Sequence, residues 1–153
     1  MVIVTGLGGF DNLVYDLDNL VVERSGIMEH LVKRADARTT VTPNATMTTL
    51  ASPTLGETSG RSLWLVEMTA GALGPAHVID TEQIWTVIDG QAAIQIEDVA
   101  HPLDAGDTLV ILAGTQRQVH ATTACRMLVT GDATAIASVP GESESRGTPA
   151  WIS

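Results

Sequence analysis

The sequence is short of cations, cysteine, aromatics and long apolar runs, and each shortage closes a class of function. Against 18 Asp plus Glu there are 8 Lys plus Arg, a formal net charge of −10, and Lys33 is the only lysine. Nucleic-acid binding needs a basic footprint and anionic membranes attract basic surfaces, so neither partner is expected. Cys125 is the only cysteine, so no disulfide can form within the chain. It sits in the run Cys125-Arg126-Met127-Leu128-Val129, which reads as a strand carrying a buried, inert thiol. That usage fits a reduced, cytoplasmic compartment. No apolar run reaches the ~18–20 residues of a transmembrane helix, and Asp11, Asp16 and Asp18 do not suit a secretory signal. Aromatics make up 3% of the chain while apolar residues make up 44%, so the core must come from Val, Ile, Leu, Ala and Met.

What is present reads as one barrel with appendages. The chain has 153 residues, which at about 100–200 residues per domain predicts one domain. Residues 1–38 form an N-terminal extension. Its opening, Met1 to Gly9, looks like a strand running into a glycine-rich dinucleotide loop, but the third glycine of such a loop would fall at Asp11. Within the extension Leu13, Val14, Leu17, Leu20 and Val21 recur at helical spacing behind Asp11, so it is either a helix over 11–24 or an irregular segment. From residue 39 to 139 short β-rich runs alternate with Gly, Pro, Asn and Asp. Strands are expected at Thr46–Leu50, Ser62–Met68, Gln83–Ile88, Ala92–Glu97, Thr108–Leu112, Gln118–Ala121, Cys125–Thr130 and Ala135–Val139. Eight short strands without an internal helix argue for an all-β sandwich or barrel. Residues 140–153 form a tail, polar and rich in turn formers, hence a loop or disordered stretch until Trp151-Ile152, which is expected to dock on the barrel or on a neighbouring chain.

Spacing inside the barrel region is regular. Gly71 is followed by five residues and His77; Gln83 stands six residues later, and six more residues lead to Gly90. After a spacer of fifteen residues comes Gly106, five residues, then Leu112-Ala113-Gly114, Arg117 and Ala121. This pattern resembles the two motifs of the cupin family, with the turn glycines 71, 90, 106 and 114 all in register. Glycines at such offsets sit where a chain turns with φ > 0 or backbones approach closely. The resemblance implies a double-stranded β-helix, the jelly-roll barrel of small RmlC-like cupins. It also implies metal ligands at the positions of His77, Ile79, Gln83 and Arg117. Only His77 of these is a ligand type that transition-metal sites normally use. Ile79 cannot ligate, and Arg117 is a permanent cation that repels a divalent ion. No metal and no other cofactor is therefore expected; a shifted site would have to use His77, Gln83 and His120. On a regular strand His120 faces away from Arg117, so it is read as a surface histidine, as are His101 and His30.

Alternation places Gln83, Trp85 and Val87 on one face of their strand, and Trp64, Val66 and Met68 on one face of theirs. The resemblance makes those faces the barrel interior. The expected site is a small-molecule pocket with His77, Arg117 and Gln83 as catalytic groups and Trp64, Val66, Met68, Ile79, Trp85 and Val87 as substrate-binding walls. Arg117 suits a carboxylate or enolate, His77 can move a proton, and the indoles can stack on a planar substrate. The competing structural reading has Gln83 bonded to His77 and Arg117 paired with Asp80 or Glu82. Three functions follow. The first is a metal-independent enzyme that isomerises, dehydrates or cyclises a small, ketide-like or carboxylate-bearing molecule. The second is a metal-dependent oxygenase or isomerase with a shifted site. The third is a non-catalytic ligand-binding module. Metal-free cupins resembling sugar epimerases use a tyrosine, and the only one here, Tyr15, lies outside the barrel strands. The extension and the Trp151 tail suit pairing of two chains, so a homodimer is expected.

Overall fold

Side chains that alternate with a period of two bury one face of a strand and wet the other. In the computed structural model, which describes residues 2–3, 14–15, 30–142 and 145–153, that alternation organises the whole barrel. The chain divides into two units, Met1–Leu31 and Val32–Ser153. In the first, β1 (Val2–Ile3) pairs antiparallel with β2 (Val14–Tyr15). The helix expected over 11–24 is thus corrected at Val14–Tyr15, where a β-branched and an aromatic residue join a ladder that suits both. The rest of that segment, and the glycine-rich loop after Ile3, lie outside the described residues.

The second unit opens with a single 3₁₀ turn, Arg34–Asp36, and continues with twelve strands. These are β3 (Arg38–Val41), β4 (Thr46–Ala51), β5 (Arg61–Met68), β6 (His77–Ile79), β7 (Gln83–Asp89), β8 (Gln91–Ile96), β9 (Val99–Asp104), β10 (Thr108–Ile111), β11 (Gln116–Ala121), β12 (Cys125–Asp132), β13 (Ala137–Ser138) and β14 (Ser145–Gly147). They form two six-stranded antiparallel sheets, ordered β10-β7-β12-β5-β4-β3 and β14-β13-β6-β11-β8-β9. From β5 to β13 the chain passes repeatedly from one sheet to the other, which is the jelly-roll arrangement expected. Among the described residues no helix is long and apolar enough to cross a membrane.

All four motif glycines have positive φ. Gly90 is the tightest of them: at φ +73 it turns β7 into β8, and a Cβ there would stand 2.1 Å from the backbone oxygen of Ala124. No L-side chain fits that approach. In the second unit four strands were not expected from the sequence: β3, β6, β9 and β14. β9 contains Pro102, which removes a ladder donor; the strand tolerates it because it is the edge of its sheet. β14 corrects the reading of that part of the tail as loop or disorder, while the buried Ile152 is docked, as was expected of the Trp-Ile pair. The tail is anchored by three donors on adjacent strands. Arg38 on β3 donates to the carbonyl of Ser153, Thr49 on β4 to that of Trp151 at 2.9 Å, and Ser62 on β5 to that of Ile152.

Candidate functional site

Inward residues of β5, β7 and β12 stack in rows across the first sheet. Ser62, Gly131 and Gln83 form one row, then Trp64, Val129 and Trp85, then Val66, Met127 and Val87, and Met68 pairs with Cys125 beyond. The lower rows meet Ala92, Val119 and Ala121 from the second sheet and fill a dense core. The first rows do not fill. They line a cavity of about 530 Å³ whose far side is β6, the Thr42–Asn44 turn and the docked tail. Behind it Gly131 leaves room for Gln83: a Cβ there would stand 3.2 Å from Gln83 Cγ, tighter than ordinary contact.

Of the expected substrate-binding residues, Trp64, Val66, Ile79 and Trp85 line this cavity. Met68 and Val87 do not: Val87 stands four residues beyond Gln83 on β7, and Met68 pairs with Cys125 at the far end of β5 and β12. The cavity also uses residues that no motif marks: Met47 on β4, and Val139, Arg146 and Trp151 from the C-terminal segment. Only the Trp-Ile pair at the terminus hinted at this. As a result all three tryptophans of the chain, Trp64, Trp85 and Trp151, wall one cavity.

The polar end of the cavity is a hydrogen-bonded group. Arg117, on β11, is the cross-strand partner of His77 on β6. Its Nη2 donates to Gln83 Oε1 at 2.7 Å, and the Trp85 indole Nε1 donates to the same oxygen at 3.1 Å. Two donors on one oxygen fix the orientation of the amide. The Gln83 NH2 has no protein acceptor among the described residues and is left for the cavity that Gln83 lines. Arg117 does not line the cavity; the Gln83 amide stands between. Its Nη1 reaches the carbonyl of Thr115 at 3.3 Å, and among the described residues its Nε has no partner. Among the described residues Arg117 has no carboxylate partner, so neither half of the structural reading holds. Asp80 accepts from the backbone N–H of Ile136, Glu82 is exposed, and Gln83 bonds Arg117 and Trp85 in place of His77. Burial lowers the Arg117 pKa to about 10.

His77 Nδ1 lies 2.9 Å from the carbonyl of Pro75, an acceptor, so Nδ1 carries the proton and Nε2 keeps its lone pair. Burial pushes the His77 pKa below its ordinary value; the Pro75 bond raises it and the Arg117 charge lowers it further. The imidazole is therefore neutral at neutral pH. His120 is exposed on the outer side of β11, paired with Ala93 and bridged to Leu73, far from the cavity face. His101 on β9 is half-buried opposite Ile94, and His30 is exposed.

This donor set does not fit a divalent metal. Gln83 Oε1 already accepts two hydrogen bonds, one from a cation, so it is a poor further ligand. Ile79 offers no donor atom, and the charge of Arg117 opposes a second cation. Only His77 Nε2 could bind one, and among the described residues no three His, Cys, Asp or Glu side chains cluster as ligands.

Comparison with known proteins places the barrel. A family model described as "Cupin domain" matches residues 64–131. No curated protein matches the sequence at a significant level. Among solved structures, salicylate 1,2-dioxygenase from Pseudoaminobacter salicylatoxidans, as its gentisate adduct, superposes with a TM-score of 0.61 at 18% identity over 69% of this chain and 31% of that one. A variant of oxalate decarboxylase from B. subtilis superposes at 0.64, with 14% identity over 72% of this chain and 31% of that one. The chain matches about a third of the length of these structures, and at such identities what they share with it is the fold.

Proposed function

We propose, from the premise that residues 64–131 are a cupin domain, that this cupin binds a small planar organic molecule and moves its protons without a metal. The observation that carries the reading is the polar end of the cavity. Among the described residues it offers an acceptor with no protein partner, His77 Nε2, and a donor with none, the Gln83 NH2, in a cavity lined by three tryptophans. An acceptor and a donor on an apolar wall suit a carbonyl compound with an acidic C–H. His77 takes the proton from the carbon beside the carbonyl. The C–H electron pair becomes the enolate, and its oxygen accepts from the Gln83 amide. Return of the proton to another carbon is isomerisation. Expulsion of a β-hydroxyl, protonated by the imidazolium, is dehydration. Attack of the enolate carbon on a second carbonyl in the same molecule, whose π electrons move to its oxygen and take the proton back from the imidazolium, is cyclisation. Holding a flexible chain in one conformation for that step can contribute several kcal/mol.

Neutral ketide-like molecules and carboxylate-bearing ones both meet these requirements. The tryptophan walls favour planar or polyene portions. Pairing of two copies is part of the reading, supported by the exposed Val110 on edge strand β10 and Leu112 just after it; a cytoplasmic setting accords with the single thiol.

A direct test uses 1-tetralone, a bicyclic ketone with enolisable hydrogens. Incubated with the protein in D2O and followed by NMR, it should exchange its α-hydrogens faster than in buffer, and His77→Ala should remove the acceleration. Binding with no acceleration would turn the reading to a non-catalytic ligand-binding cupin.

A further inference from the structure

Arg117 is a buried cation with an incomplete set of partners among the described residues. It is 1% exposed, has no carboxylate partner among the described residues, and leaves Nε unbonded. Its two remaining bonds go to neutral oxygens, the Thr115 carbonyl and the Gln83 amide. A buried charge that nothing neutralises is costly, and the cost falls when an opposite charge arrives nearby. The open direction is the cavity. Between the guanidinium and the cavity lies one amide, whose oxygen faces Arg117 and whose NH2 is free. A hydrogen bond from a cation to the amide oxygen draws electron density from the amide nitrogen and strengthens its N–H groups as donors.

We infer that the cavity selects an organic anion, its charged oxygen seated on the Gln83 NH2 and balanced by Arg117 behind it. The inference rests on the reading of the cavity as a ligand site and decides between the two ligand classes left open there, in favour of the carboxylate or enolate over the neutral ketide. Arg117 is then a positioning residue. It touches no ligand atom; it orients the Gln83 amide and supplies the charge that the ligand answers. The remaining basic group at the cavity, Arg146, is exposed and held by Glu142 at 2.7 and 3.0 Å, so it adds little net charge.

The test compares trans-cinnamate with trans-cinnamamide, planar isosteres that differ in charge, by isothermal titration calorimetry at pH 8. Wild-type protein should bind cinnamate about tenfold or more tightly than the amide, as a charge-assisted site requires. In Arg117→Met that ratio should collapse to about twofold or less. Gln83→Glu supplies an internal carboxylate to Arg117, so it should lose cinnamate binding and keep cinnamamide binding; it decides the matter if Arg117→Met fails to fold. Equal affinity for the two probes in wild type, or a ratio unchanged by Gln83→Glu, overturns the inference and leaves the cavity reading standing. Binding of neither probe overturns both.

Discussion

Replacing Gln83 with leucine keeps the volume of the side chain and removes its oxygen. In the native barrel that oxygen accepts from Arg117 Nη2 at 2.7 Å and from Trp85 Nε1 at 3.1 Å, all three residues being buried. Loss of a bond from a charged donor is worth about 1.5–3 kcal/mol, and stranding a buried neutral donor about 1–3 kcal/mol. The two donors share one acceptor, so the losses are not fully additive. A total near 3–5 kcal/mol is expected, against a whole stability of about 5–15 kcal/mol for a typical domain. With a urea dependence of about 2 kcal/mol per molar, the middle of the usual range, the unfolding midpoint followed by circular dichroism should fall by roughly 1.5–2.5 M. Gln83→Glu retains an acceptor for both donors and should stay within about 1 kcal/mol of wild type, the gain in attraction offsetting the desolvation of the carboxylate. A midpoint shift below about 0.5 M in Gln83→Leu would mean that Arg117 and Trp85 find other partners, and the double-acceptor account of the polar group would be refuted.

Other perturbations probe the frame around that group. Gly90→Ala sets a Cβ 2.1 Å from the Ala124 oxygen at φ +73, and should cost at least about 2 kcal/mol in thermal or urea unfolding; a neutral result would refute the close crossing of β7 and β12 there. Ile152→Ala should cost about 2–5 kcal/mol, because the side chain is 1% exposed within the core, whereas a loss under about 0.5 kcal/mol would show that the terminus is not docked. The pH dependence of stability has a definite sign. His77 has its pKa lowered in the folded barrel, so below pH 6.5 the unfolded chain gains a proton first. Stability should be fully present above that pH and fall as the pH drops toward the lower folded value, and His77→Gln should flatten this limb of the curve; an unchanged limb would assign it to other groups.

The turn glycines and the alternation of β5 and β7 were legible in the sequence because both follow from local rules: positive φ needs glycine, and a half-buried strand repeats every two residues. Which end of the barrel is hollow was not legible. Met68, Val87, Trp64 and Trp85 all point inward, and nothing in their alternation says that the Trp64–Trp85 row borders the cavity while Val87 and Met68, further along the same strands, do not. β6 has three residues and β9 carries a proline, so neither produces a recognisable run. The polar tail reads as loop because its anchors are main-chain carbonyls, which every residue has; the information lies in Arg38, Thr49 and Ser62, about 90 to 115 residues away. Arg117 was legible as an inward cation, but its long side chain can reach several partners, and the choice of Gln83 over a carboxylate is a property of the folded barrel alone.

A His77–Gln83–Arg117 group that moves protons without a metal should hold none. The measurement is metal content per chain after incubation with Mn(II), Fe(II), Ni(II), Cu(II) or Zn(II) and exhaustive buffer exchange, on wild-type protein and His77→Ala. Well below one equivalent of every metal, unchanged by the substitution, is the predicted result. One equivalent of any of them in wild type, lost in His77→Ala, would contradict it.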